Sequence, residues 1–168
     1  LNVLYVEIDS AIYYNSSQVT NVNEVKSKVT TVLNTFSTSN INKFGGRFKY
    51  SKLGQIIDGS DVSITSNITR VIIRRNMKCL LNQSAQYELC YGNKFKKNSG
   101  GFNIKSTGFT LANQTGTLYF TDVPDATGNM GILSVVRESS TANEYTVIIK
   151  SAGTVDYDKG EIIINTLF

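Results

Sequence analysis

The sequence predicts an α+β fold: an N-terminal strand–helix–strand unit followed by a mostly antiparallel β half. Three observations carry this. A single helical apolar stripe runs behind a capping residue near the N-terminus, and β-branched and aromatic runs flank it. Beyond about Leu81 the helical period disappears, and short β-like runs recur between Gly, Asn, Ser and Asp. At 168 residues the chain fits one domain or two small subdomains, expected at 1–80 (α+β) and 81–168 (β-rich). A domain of this size buries roughly 70% of its unfolded surface, so neither a disulfide nor a structural metal is needed to hold it together.

The segment Val3–Ile8 has the content of a strand, and a short run follows at Ile12-Tyr13-Tyr14. Asn21 caps the clearest helix, with Glu24 placed to complete a capping box. Val25, Val29, Val32, Leu33 and Phe36 then form one apolar stripe, which needs a sheet to pack on. Phe44, Phe48 and Tyr50 alternate around Gly45-Gly46 as in an extended stretch. Ser51 is the expected cap of a short helix carrying Leu53, Ile56 and Ile57, with Gly59 as its stop. Val62, Ile64, Ile68 and Val71–Ile73 read as a long strand. In the second half, β-like runs are expected at 87–91, 102–110, 117–121, 131–137, 145–150, 153–157 and 161–165, arranged as hairpins in a sheet or small sandwich.

Composition narrows the chemistry. Histidine is absent, which removes Ser-His-Asp and Cys-His catalysis and every His-containing metal site. Two cysteines cannot build a four-Cys zinc or iron–sulfur site. Cys79 and Cys90 read as small buried hydrophobes, although a cross-strand disulfide between them is geometrically conceivable. The net charge of +4 permits weak attraction to acidic surfaces, and Lys94, Lys96 and Lys97 cluster around Phe95. No basic face extends beyond that cluster, so it reads as a solvated hairpin tip and no specific nucleic acid is expected. The apolar runs are too short for a membrane span, and the opening residues lack the pattern of a signal peptide. The sequons at Asn15, Asn67, Asn82 and Asn113 are chance products of an Asn-, Ser- and Thr-rich chain.

Asp156-Tyr157-Asp158-Lys159-Gly160-Glu161 suggests the start of a calcium loop, but its glycine is one position early and no Glu follows at position twelve. It reads as a hairpin turn with Gly160 at positive φ. Asp122 and Asp125, beside the only proline, read as a polar turn rather than an acid pair. Gly45-Gly46-Arg47 is too short to cradle a phosphate and reads as a backbone bend. These observations leave no catalytic, cofactor-binding or metal-binding residues, and no cofactor. The aromatics are the remaining clue. There are nine Tyr and eight Phe without Trp, the terminal Phe168 among them; most aromatics in any chain are core, but they are enriched in interfaces, and Tyr13, Tyr14, Phe44, Phe48 and Tyr50 are the candidate protein-interface residues.

Several stretches, taken in order, resemble a known family. Tyr13-Tyr14-Asn15-Ser16-Ser17 precedes a Val-x-x-x-Val-x-x-Val-Leu helix; Phe44, Phe48, Tyr50-Ser51, Leu53 and Ile56-Ile57-Asp58 follow. Ile64-Thr65-Ser66-Asn67-Ile68-Thr69 then leads into a strand, and the chain closes with Gly153-Thr154-Val155-Asp156-Tyr157 and Gly160-Glu161-Ile162. This order resembles the large baseplate wedge subunit (gene product six) of T-even-type contractile-tailed phages, and its helical portion is similar to the wider baseplate J-like group. The resemblance implies a piece of a much longer structural subunit, located in the virion tail baseplate and assembled in the host cytoplasm. It also implies pairing with copies of itself and with other wedge proteins, in a ring that rearranges when the tail contracts. The competing expectations are a carbohydrate- or surface-binding β-rich module, marked by a row of exposed coplanar aromatics, and a carboxylate-dependent hydrolase, marked by two convergent acids in a cleft.

Overall fold

The computed structural model describes residues 3–80, 83–139 and 144–165. The fold is α+β and comprises two compact units, Leu1–Arg74 and Arg75–Phe168.

The first unit opens with β1 (Leu4–Tyr14), whose even-numbered residues through Ile12 turn inward while Tyr5, Glu7, Asp9, Ala11 and Tyr13 face out. It forms a two-stranded sheet with β2 (Ile64–Arg75). Contacts pair Glu7 with Arg74, Ser10 with Thr69, Tyr13 with Thr65 and Asn15 with Ser63, so the strands are antiparallel. A two-stranded ribbon is marginal alone. Two helices supply the missing core: α1 (Val22–Phe36) and α2 (Tyr50–Asp58) bury Val29, Phe36, Leu53 and Ile57 against Ile8, Ile12, Ile64 and Val71.

In α1 the Asn21 side chain accepts the Asn23 N–H at 3.0 Å, as the cap requires. Glu24 does not close a capping box. Its carboxylate pairs with Lys28 one turn on, at 3.2 Å. Val25, Val29 and Phe36 are buried and Val32 and Leu33 half-buried, which is the face the stripe specified. The helix runs into a single π-helical turn, Ser37–Ile41.

Two local expectations change here. The segment expected to be extended instead turns at Gly45 (φ +72°), and Gly46 lies so close to the Ile41 carbonyl that a Cβ would overlap it. The alternation of Phe44, Phe48 and Tyr50 is therefore not a strand pattern. α2 starts at Tyr50 with Lys49 in the capping position, so Ser51 lies inside the first turn. The Tyr50 hydroxyl donates to the Thr69 carbonyl at 2.7 Å and fixes that turn on β2 without a side-chain cap.

The second unit is a five-stranded antiparallel sheet of β3 (Tyr87–Cys90), β4 (Leu118–Pro124), β5 (Met130–Glu138), β6 (Tyr145–Asp156) and β7 (Glu161–Ile164). Its spatial order is β3-β7-β6-β5-β4. Its core gathers Leu118, Phe120, Leu133, Val135, Ala152, Val155, Tyr157, Ile162 and Ile164. The runs expected at 145–150 and 153–157 are one strand. Gly153 marks no turn; it lets β6 pass against the Ile163 carbonyl, where any side chain would collide. The stretch 102–110 is not a strand either. It makes only two isolated bridges, Lys105↔Thr121 and Phe109↔Leu118. Phe102 sits at φ +58°, and the Asp122 carboxylate and Ser106 hydroxyl take backbone N–H groups a ladder would need.

Candidate interaction surface

The five aromatics singled out in the sequence all lie in the first unit. Tyr13 and Tyr14 end β1 with exposed rings, Phe44 stands fully in solvent, and Tyr50 is exposed on the first turn of α2. Phe48 differs: it is half-buried and packs against the Val29–Phe36–Leu53–Ile57 cluster. Among the described residues, no ring–ring contact joins the five. Phe168 and the Asn82 sequon lie outside the described residues.

Sequence reasoning missed the outward residues of β2. Ile68 is 66% exposed, and Ile72 and Ile73 are also open to solvent. The signal was the mixed order Ile-Thr-Arg-Val-Ile-Ile, which puts apolar residues on both faces of a ribbon that has helices on one. Between α1 and α2 runs an open groove of about 490 Å³, floored by Val32, Phe36 and Ile56 and rimmed by Asn40, Lys52 and Gln55.

The second unit offers side-chain clusters but little surface chemistry. Asp122 is not in a polar turn: it sits within β4 and is fully buried. Its carboxylate accepts the Ile104 N–H at 2.6 Å, the Asn103 amide at 2.8 Å and the Tyr157 hydroxyl at 2.5 Å. Burial first, and then the hydrogen bond to Asp122, push the Tyr157 phenol far above its ordinary value, so it stays protonated and donating. The group is a latch that ties the 103–104 segment and the β6–β7 turn to β4. Asp125 instead closes its own loop, accepting from Thr127 Oγ1 and the Gly128 N–H at 2.8 Å each, and the Thr127 bond foremost holds its carboxyl below the usual range. One acid is locked in the core and the other in a turn, so they make no catalytic pair.

Asp156 Oδ1 accepts the N–H groups of Asp158 and Lys159, and Gly160 takes φ +70°, as a hairpin turn needs. Lys94 is paired with Asp158 and Lys97 with the Gly128 carbonyl. Phe95 turns inward, edge-on to Tyr91 at 5.1 Å, so the basic loop presents no stacking platform. In the β half, Phe102 and Tyr145 form one exposed tilted pair rather than a row.

Cys79 and Cys90 are both free and exposed, not buried: each lies where its strand or loop faces solvent. The β3–β7 register sets Cys90 opposite Glu161 and, with Glu88, gathers three potential ligand atoms within 4.8 Å. That cluster was invisible in sequence because its members come from distant strands. The Cys90 thiol donates to Glu88 Oε1 at 3.3 Å, and that bond foremost raises its pKa. A thiol kept protonated by a carboxylate is a poor metal ligand and a poor nucleophile.

Residues 2–76 match the family model described as baseplate structural protein gp6, C-terminal domain III. The match takes in the whole ribbon-and-helices unit and supports a structural role in a phage tail baseplate. No curated protein matches the chain. Among the described residues, no helix is long and apolar enough to cross a membrane.

Proposed function

We propose that this chain is part of a baseplate wedge subunit of a T-even-type contractile-tailed phage. It acts by protein–protein assembly, with copies of itself and with other wedge proteins, and not as an enzyme. The observation that carries the reading is that the unit matching the baseplate family is also the one with more exposed aromatics, five against two among the described residues, and the thinner core. In this reading Tyr13, Tyr14, Phe44 and Tyr50 seat against partners, while Phe48 packs on the core cluster of the same unit. The α+β part (1–80) and the β-rich part (81–168) serve as separate subdomains, and assembly takes place in the host cytoplasm before the tail is complete.

The test is co-expression with neighbouring tail proteins followed by affinity capture. The parent chain should retain at least one of them, and Tyr13→Ser with Phe44→Ser should lose it while keeping the parent's circular dichroism. A folded chain that captures none of them would remove the assembly reading.

A further inference from the structure

A second basic stretch lies outside the Lys94–Lys97 cluster, in the helix–loop–helix of the first unit. From Val25 to Ile57 the chain contains no Asp or Glu. Lys43, Arg47, Lys49 and Lys52 crowd into residues 43–52 of it, and all four are exposed. Among the described residues none of these four side chains has an ion pair or a hydrogen bond, whereas Lys28 on α1 is shared between Glu24 and Asp61. The loop that carries them turns back at Gly46 onto the Asn40 and Ile41 carbonyls, and Asn40 rims the groove between α1 and α2. Lys52 stands on the same rim. The charge therefore borders the groove. The floor beneath is apolar, with Val32 and Ile56 half-buried beside the buried Phe36.

We propose that this groove seats an acidic amphipathic helix of a partner protein. The apolar face of such a helix, about three to four side chains per two turns, fills the trough between α1 and α2 as a third packed helix. Its flanking carboxylates meet Lys43, Arg47, Lys49 and Lys52, whose charge no side chain among the described residues offsets. The occupant comes from another protein, because the described helices of this chain are poor in acids: Glu24 is the one acid of α1 and Asp58 the one acid of α2. A nucleic acid strand fits less well. It needs open ring faces along a charged track, and this floor supplies aliphatic side chains and a ring that is already covered. The inference rests on the assembly reading and deepens it, by giving one partner surface its chemistry.

Binding of designed probes to the full chain tests it, read by fluorescence anisotropy. The probes are a helical peptide with Leu on one face and Glu on the other, its twin with Lys for Glu, and an oligothymidylate. The Glu peptide should bind in a salt-sensitive way, about tenfold or more tighter than its Lys twin. Reversing the four cations together (Lys43→Glu, Arg47→Glu, Lys49→Glu and Lys52→Glu) should weaken that binding by about tenfold or more. Thr35→Trp fills the groove from an exposed position on α1 and should weaken it as much without altering a charge. Unchanged circular dichroism and thermal midpoints exclude misfolding as the cause. A Glu peptide that does not bind, twins that bind equally, indifference to either variant, or tighter binding of the oligothymidylate would each overturn the proposal. Capture of tail proteins separates the two readings. The charge-reversed variant should lose a tail protein that the parent captures; if it retains all of them, the assembly reading stands and this proposal falls. A parent that binds the Glu peptide but captures no tail protein would remove the assembly reading and leave the specificity of the groove standing.

Discussion

In the unit spanning 1–74, four side chains form the buried cluster, whereas the unit spanning 75–168 gathers nine. The described residues of the first unit also leave eleven large hydrophobics exposed, against seven in the second. A five-stranded sheet closes a core between its own strands, with the Asp122–Tyr157 latch at one side. A two-stranded ribbon has one face for its helices and nothing of its own for the other. On the assembly proposal, the difference says where its energy would reside: a unit that folds with apolar surface left over is the one suited to be covered by something else.

The comparison breaks most visibly in the thin core. Leu53 is completely buried, and Leu53→Ala should cost roughly 2–5 kcal/mol. Hydrogen exchange should show that loss in residues of α1, α2 and the ribbon, with protection in β4–β7 unchanged. Loss of protection in both units together would show that they fold as one. Leu33→Ala is a control of graded size: its side chain is only half-buried, so its denaturant midpoint should move less than that of Leu53→Ala.

In the thicker unit the corresponding weak point is polar. Tyr157→Phe removes a donor from a buried carboxylate and should destabilise by about 1.5–3 kcal/mol. Urea titration followed by β-sheet circular dichroism would measure it, and a neutral outcome would show that the latch holds nothing. A smaller effect is expected at the cap of α1, where Asn21→Ala should cost about 1 kcal/mol.

The smallest expected effect is a pH dependence confined to the first unit. Lys28 first, and then the Ser63 hydroxyl and N–H, hold the Asp61 carboxyl well below its ordinary range. The folded state therefore binds this proton less readily than the unfolded chain. Its contribution is complete above the usual carboxylate value near pH ~4 and fades as pH falls below it toward the folded value. Asp61→Asn should remove that acid limb of the stability profile and leave the neutral-to-alkaline shape unchanged up to the lysine range. An acid limb identical to the parent's would show that the pair contributes nothing.

What could be read in advance follows from how local the cause is. The α1 stripe behind Asn21 and the Asp156–Gly160 turn are set by neighbours within a few residues, and they were legible. Gly153 misled because its reason is the Ile163 carbonyl on another strand. Asp122 misled because its donors come from residues 103, 104 and 157, so a buried acid looked like a loop acid. The start of α2 was misplaced because Tyr50 is fixed by Thr69 rather than by a local cap. Of the five aromatics picked out as interface candidates, Tyr13, Tyr14, Phe44 and Tyr50 have exposed rings, whereas Phe48 is half-buried on the core cluster.

Hydrogen exchange on the chain assembled in a tail baseplate, compared with the free chain, tests the account most directly. The account predicts new protection concentrated in residues 3–74, strongest along the outward face of β1 and β2 and at the exposed aromatics. Protection confined to the β-rich unit, with the ribbon as open as in the free chain, would contradict it.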